Sequence, residues 1–229
     1  MKDPISPRPD PDFAPGVRVV TDPRAADALV NPYTLRQLEP FLGRDCTVSE
    51  AARQAGEKPN TVLRRVRRFV GLGLLEVTRE ERRAGRAIKV YRSSAEVFFV
   101  PFEATSAETL ESLMAERDRY YEDLLRRGVV RARRERVGTW GTRIYKDARG
   151  RLQIQTALTP EANHTLLEAG APAVLSAWRD SVYLDFEDAK RLQLELFDLL
   201  KRFQQARGAG RYVVRLGLAP VLAGADVEG

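Results

Sequence analysis

The chain has 229 residues, with 38 Lys and Arg against 32 Asp and Glu, a net charge of +6, one cysteine and one histidine. That length holds a sizeable core and two small domains. A single cysteine excludes an internal disulfide and fits a reducing cytoplasm, and no apolar run nears the roughly 20 residues that span a bilayer.

Residues 1–16 carry five prolines and no hydrophobic block, so they read as an unfolded tail and not as a signal peptide. Asp22 to Leu42 reads as one or two helices, with Asn31 as N-cap and Pro32 in the first helical position. Glu39-Pro40 should stop or kink the second of them. Thr47-Val48-Ser49-Glu50 is a capping box; the short helix after it shows Val48, Ala51, Ala52 and Ala55 on one face and ends at Gly56.

A turn through Glu57-Lys58-Pro59-Asn60 leads into a second helix, with Asn60 as the expected N-cap. At about 100° per residue, Val62, Leu63, Val66, Phe69 and Val70 share one arc, opposite Thr61, Arg64, Arg65, Arg67 and Arg68. Thr61, Arg64, Arg65 and Arg68 fall at i, i+3, i+4 and i+7, a single stripe. Such a charged face can be mere solvated surface. Arg64, Arg65, Arg67 and Arg68, however, have no acid among them and repel one another by a few tenths of a kcal/mol per close pair, which solubility alone does not require. Guanidinium forks suit guanine edges and phosphates.

Gly71-Leu72-Gly73 stops the helix, and Leu75, Val77, Ile88 and Val90 alternate with polar residues as half-buried strands do. Arg82, Arg83, Ala84, Gly85 and Arg86 read as the hairpin tip, either an ordinary surface turn or a backbone-gripping element. From Glu57 to Arg92 there are eleven basic residues and four acids, a net of +7, so the remainder of the chain is nearly balanced at −1. One local basic patch of this kind points to polyphosphate.

Asn31-Pro32 with Leu35 and Leu38, Thr47 to Ala52, Asn60-Thr61-Val62 with Arg64, and Gly73-Leu74-Leu75 with a hairpin ending at Tyr91 follow one another in a fixed order. From about Asp22 to Arg92 the chain therefore resembles a winged helix-turn-helix of the ArsR-like group of bacterial transcription regulators. The resemblance implies that the helix from Thr61 enters a major groove of double-stranded DNA while the hairpin around Gly85 flanks it as a wing. It assigns DNA contact to Lys58, Asn60, Thr61, Arg64, Arg65, Arg67, Arg68, Arg82, Arg83, Arg86 and Lys89. Metal-sensing members use cysteine or histidine ligand sets. With only Cys46 and His164 here, no metal and no other cofactor is expected.

Phe98, Phe99, Val100 and Phe102 form an apolar strip that anchors the chain after the hairpin or faces a partner. Thr105-Ser106-Ala107-Glu108 is a second capping-box pattern. The helix it starts carries Leu110, Leu113, Met114, Tyr120, Tyr121, Leu124 and Leu125 and is expected to stop at Gly128. That seam serves an internal core or a homodimer interface; related regulators dimerise through a helix placed here. Arg126, Arg127, Arg131, Arg133, Arg134 and Arg136 form a second basic cluster, part of it favoured by a helix C-terminus.

Thr142 to Lys146 and Arg151 to Leu158 read as a hairpin, Asp185 as the cap of a helix showing Ala189, Leu192, Leu196, Leu199, Leu200 and Phe203, and Tyr212 to Leu216 as a strand. The expected class is α+β. A disordered tail (1–16), a winged helix-turn-helix domain (17–104), a linking helix (105–137), a C-terminal α+β domain of hairpin, helix and strand (138–220) and a flexible end (221–229) make it up. The helix of the C-terminal domain should pack on a sheet face.

No catalytic constellation is present: His164 stands alone, and Glu122-Asp123 and Glu187-Asp188 are adjacent, so their carboxylates do not converge. The expectation is a cytoplasmic, non-enzymatic, dimeric regulator that reads DNA sequence, with a ligand or partner at its C-terminal domain. The competing expectation is a winged helix that joins a protein assembly.

Overall fold

The computed structural model describes residues 16–82, 87–135, 141–148, 150–157, 160, 169–177 and 182–221. The fold is α+β, and the chain divides into two units, Met1–Tyr120 and Tyr121–Gly229.

In the first unit β1 (Val17–Val19) is followed by α1 (Pro23–Val30) and α2 (Pro32–Leu38). Asp22 caps α1 by accepting from the Ala25 N–H at 2.8 Å, and Asn31 caps α2 by accepting from Tyr33 and Thr34. Both helices have proline in their first turn, where the missing N–H costs nothing. As the Glu39-Pro40 pair foretells, α2 ends at Leu38 and a 3-10 turn over Glu39–Phe41 follows.

A short strand, β2 (Cys46–Thr47), leads into α3 (Val48–Ala55). Its capping box is complete: the Thr47 hydroxyl accepts from the Glu50 N–H at 3.2 Å, and the Glu50 carboxylate accepts from the Thr47 N–H at 2.8 Å. Gly56 closes the helix at φ +66°, a conformation that favours glycine. The next helix, α4 (Pro59–Gly71), is capped at Lys58 and not at the expected Asn60. Pro59 has its φ already set for a first helical position, so the helix starts before Asn60.

The hairpin pairs β3 (Leu75–Glu81) with β4 (Ile88–Ser93), and β4 also pairs with β2, giving the order β2-β4-β3. A register irregularity falls between Val77 and Arg79. Arg83, Gly85 and Arg86, at the expected tip, lie outside the described residues. β5 (Val97–Phe99) then runs parallel to β1, with Phe98 and Val100 packed on the core while Phe99 faces solvent. Arg18, on β1, donates to the Gly73 carbonyl and to Ser94 Oγ, both at 2.7 Å.

The core of this unit joins Leu29, Leu38, Phe41, Ala51, Ala52, Val62, Val66, Phe69, Leu74 and Leu75. The Phe41 and Tyr91 rings meet edge to face. Alanines on α3 let α4 approach closely.

α5 (Leu110–Arg134) departs from expectation at both ends. The Thr105 hydroxyl donates to the Phe102 carbonyl and closes a 3-10 turn over Phe102–Ala104, and it is the Thr109 hydroxyl that accepts from the Ser112 N–H at the start of α5. The helix also continues through Gly128. A mid-helix glycine costs about 1 kcal/mol against alanine, which does not halt a helix whose apolar spacing resumes at Val129 and Val130.

In the second unit β6 (Gly141–Lys146) pairs with β7 (Leu152–Ala157) around a turn in which Asp147 accepts from the Arg151 N–H at 3.0 Å. α6 (Phe186–Gln204) is capped by Asp185, which accepts from the Asp188 N–H at 2.9 Å. Two expectations fail here. Tyr212 to Leu216 is not a strand, because no neighbouring strand pairs with it among the described residues. No residue of α6 is buried, so the expected packing of this helix on a sheet face is not made among them. His164, Arg136 and Leu158 lie outside the described residues.

Candidate nucleic-acid interface

α4 turns Val62, Val66 and Phe69 into the core, which fixes its inward direction. At about 100° per residue Arg64 lies roughly opposite that direction, with Asn60, Arg67, Arg68 and Thr61 to either side; all five are exposed. The expected apolar arc was too wide: Val70 is exposed and Leu63 only half-buried, both on a flank.

Arg65 occupies the other flank, about 70° from the inward direction by the same count. It does not belong to the outward stripe. Its Nη1 donates to Glu57 Oε1 at 2.7 Å, with the two side chains 30% and 34% exposed. Arg65 lines a cavity of about 420 Å³ together with Tyr33, Val62 and Tyr120, and the two tyrosine rings meet edge to face at 4.5 Å. Glu57 sits in the turn before α4, two helical turns back, where a helical side chain leaning toward its own N-terminus reaches.

Arg64, Arg67 and Arg68 form no ion pair among the described residues, and neither does the exposed Lys58 at the start of α4. Arg68 lines a smaller cavity of about 270 Å³ with Asp27 and Glu116. The outward side of α4 therefore offers guanidinium donors, one amide and one hydroxyl, and no acid of the helix itself, with Asp27 and Glu116 beside Arg68.

On the hairpin much of the positive charge is met from within. Arg79 bonds to Asp45 and lies 3.2 Å from Glu81. Lys89, assigned to DNA contact by the resemblance, lies 3.3 Å from Glu80, its direct cross-strand neighbour. Arg92 bonds to Glu96, which raises its pKa through that hydrogen bond, and stands 4.0 Å from Asp45. Arg82 is exposed and makes no ion pair among the described residues, while Arg83 and Arg86 fall outside them. Exposed pairs such as Lys89–Glu80 are worth roughly 0–1 kcal/mol and exchange easily for another anion.

Asp45 and Glu96 are the residues a charge count over 57–92 misses, because both lie outside that interval. The Glu80–Lys89 pair carried a usable signal: a hairpin with its tip near Gly85 sets these two residues nearly opposite each other.

Beneath the surface, burial pushes the Cys46 thiol pKa up, with the Glu50 carboxylate adding to the rise. The Thr47 N–H and hydroxyl hold the Glu50 carboxyl below its ordinary value. Among the described residues no group of three or more His, Cys, Asp or Glu is placed to hold a metal.

In the second unit Arg126 bonds to Asp123 and Arg131 lies 2.9 Å from Glu135, so two members of the second basic cluster are paired locally. Arg127 and Arg134 are exposed and Arg133 is half-buried. Among the described residues no helix is long and apolar enough to cross a membrane. The chain matches no protein-family model and no curated protein.

Proposed function

We propose that residues 17–104 act as a winged helix-turn-helix of the ArsR-like kind, and that the protein is a non-enzymatic transcriptional regulator reading double-stranded DNA. In this reading α3 and α4 are the helix-turn-helix, α4 enters the major groove, and the β3–β4 hairpin is the wing laid on the backbone. One observation carries it: α4 buries Val62, Val66 and Phe69 on one side and presents Arg64, Arg67 and Arg68 on the other with no acid among them. Arg64 and Arg68, one turn apart, suit base edges or phosphates; Lys58, Asn60 and Thr61 flank them near the helix start. Arg82, Arg83 and Arg86 supply the wing. Arg65 is left out of the contact set, and Lys89 contributes only after releasing Glu80.

A regulator of this type works as a homodimer, which sets two reading helices about one DNA turn apart. The C-terminal unit then serves a partner or ligand.

Selection of bound duplexes from a random library tests the reading, followed by titration of the chosen site against salt. The expected outcome is a palindromic site whose affinity falls linearly in log salt, lost in the Arg64/Arg67/Arg68 triple alanine variant. Undiminished affinity in that variant, or binding without sequence preference or salt dependence, favours the protein-assembly reading and overturns this one.

A further inference from the structure

α6 presents a broad unpartnered apolar surface among the described residues. Phe186, Phe197 and Phe203 are 73%, 59% and 65% exposed, and Leu194, Leu199 and Leu200 are exposed beside them. With Ala189, Leu192 and Leu196 half-buried, no residue of the helix is buried. At about 100° per residue these side chains cover more than half of the helix circumference. A surface helix with one covered face needs less; contiguous exposed apolar area of this extent marks an interaction surface.

Two features of α6 say what covers it. Phe186, Ala189 and Leu192 advance in steps of three from one end, and Phe203, Leu200 and Phe197 retreat in the same steps from the other. These six positions are thus spaced alike in both directions about a midpoint between Leu194 and Glu195, so a reversed copy meets them layer for layer, while Leu194, Leu196 and Leu199 fall opposite Glu195, Gln193 and Lys190. The charges follow the same rule. Glu187 and Asp188 fill the first turn, Lys201 and Arg202 the last. Reversed pairing sets each acidic end beside a basic end, twice by symmetry, whereas parallel pairing sets like against like.

A surface that is its own complement under a twofold rotation is the signature of an isologous contact. We propose that α6 is the face through which two copies of this chain associate, antiparallel, about a twofold axis near Leu194 and Glu195. α5, expected to dimerise, is the poorer surface: it exposes Leu110, Met114 and Tyr121, with the charged and exposed Arg117 among them. The assignment stands apart from DNA binding and is tested without DNA.

The first measurement is the mass of the full chain in solution across a wide concentration range, for the wild type and for the Phe197→Asp/Leu200→Asp variant. Both substituted side chains are exposed, so the monomer fold should persist, with an unchanged circular dichroism spectrum. The expected outcome is a dimeric wild type and a variant monomeric over the same range. A monomeric wild type overturns the proposal, as does a variant that dimerises equally well. The second measurement fixes orientation with a short bis-maleimide on a Cys46→Ala background. In an antiparallel pair two copies of residue 186 lie on the order of 25 Å apart along the helix axis. Chains carrying Phe186→Cys should therefore link poorly to one another and strongly to chains carrying Phe203→Cys. Efficient linking of Phe186→Cys chains among themselves excludes the assigned pairing.

Discussion

Glu57 Oε1 accepts from Arg65 Nη1 at 2.7 Å, and this contact gives two adjacent arginines different surroundings. Arg64 points away from the core with no ion-pair partner among the described residues, while Arg65 turns back along α4 toward the preceding turn.

On a duplex selected by the protein, Arg64→Ala should weaken binding by about 1–3 kcal/mol if the side chain reads a base, or lower the salt slope by about 1 if it grips a phosphate. Arg65→Ala should change affinity by less than about 1 kcal/mol, the loss coming from packing around α4. Fluorescence anisotropy at several salt concentrations measures both. Equal losses in the two variants contradict the division.

The capping box makes α3 sensitive to acid. Thr47→Ala should cost about 1 kcal/mol in chemical denaturation. Because the two Thr47 donors depress the Glu50 pKa, the contribution of that carboxylate is present above its unfolded value and is lost as pH falls through the lower folded one. The melting-temperature gap between wild type and Glu50→Gln should therefore close on acidification. Since Glu50 is exposed, the gap is small at any pH. A gap that widens in acid refutes this.

Cys46 gives the opposite sign. Its folded pKa is raised by burial, so its contribution to stability is fully present below the unfolded thiol value and is lost as pH rises through the folded one. Wild type should lose melting temperature relative to Cys46→Ser as pH is raised through the thiol range. The native thiol should also react slowly with a disulfide reagent until the protein unfolds; rapid reaction of the folded chain contradicts its burial.

Gly73 stands at φ +68°, and a Cβ there would lie 3.3 Å from Arg18 Nη2. Gly73→Ala should destabilise the first unit by about 1 kcal/mol through backbone strain. Adding Arg18→Ala should recover only the part due to crowding, which a double-mutant cycle in urea resolves.

What the sequence disclosed was mainly local. The Thr47–Glu50 box, the Asn31 cap and the Gly56 stop each depend on a few neighbouring residues, and each stands where the spacing puts it. The hairpins at 75–93 and 141–157 were likewise legible from alternation. Arg65 falls at the edge of the stripe that the spacing predicts, and the partner that draws it aside, Glu57, lies before the helix begins. Tyr212 to Leu216 has the alternation of a strand, but a strand forms only where another offers its hydrogen bonds, and one segment's sequence does not reveal that. Gly128 does not end α5 as a glycine stop would, since a cost near 1 kcal/mol weakens a long helix without ending it.

The parallel pairing of β1 with β5 bears on how the first unit is made. Val17 finds Val97 eighty residues later. During synthesis its opening strand must wait, unsatisfied, until almost the whole unit has been translated. Helices α1 to α4 can close over neighbours already in hand, whereas this seam is a late and distant contact that slows completion. The last stitch of the unit therefore joins the beginning of its chain to the end.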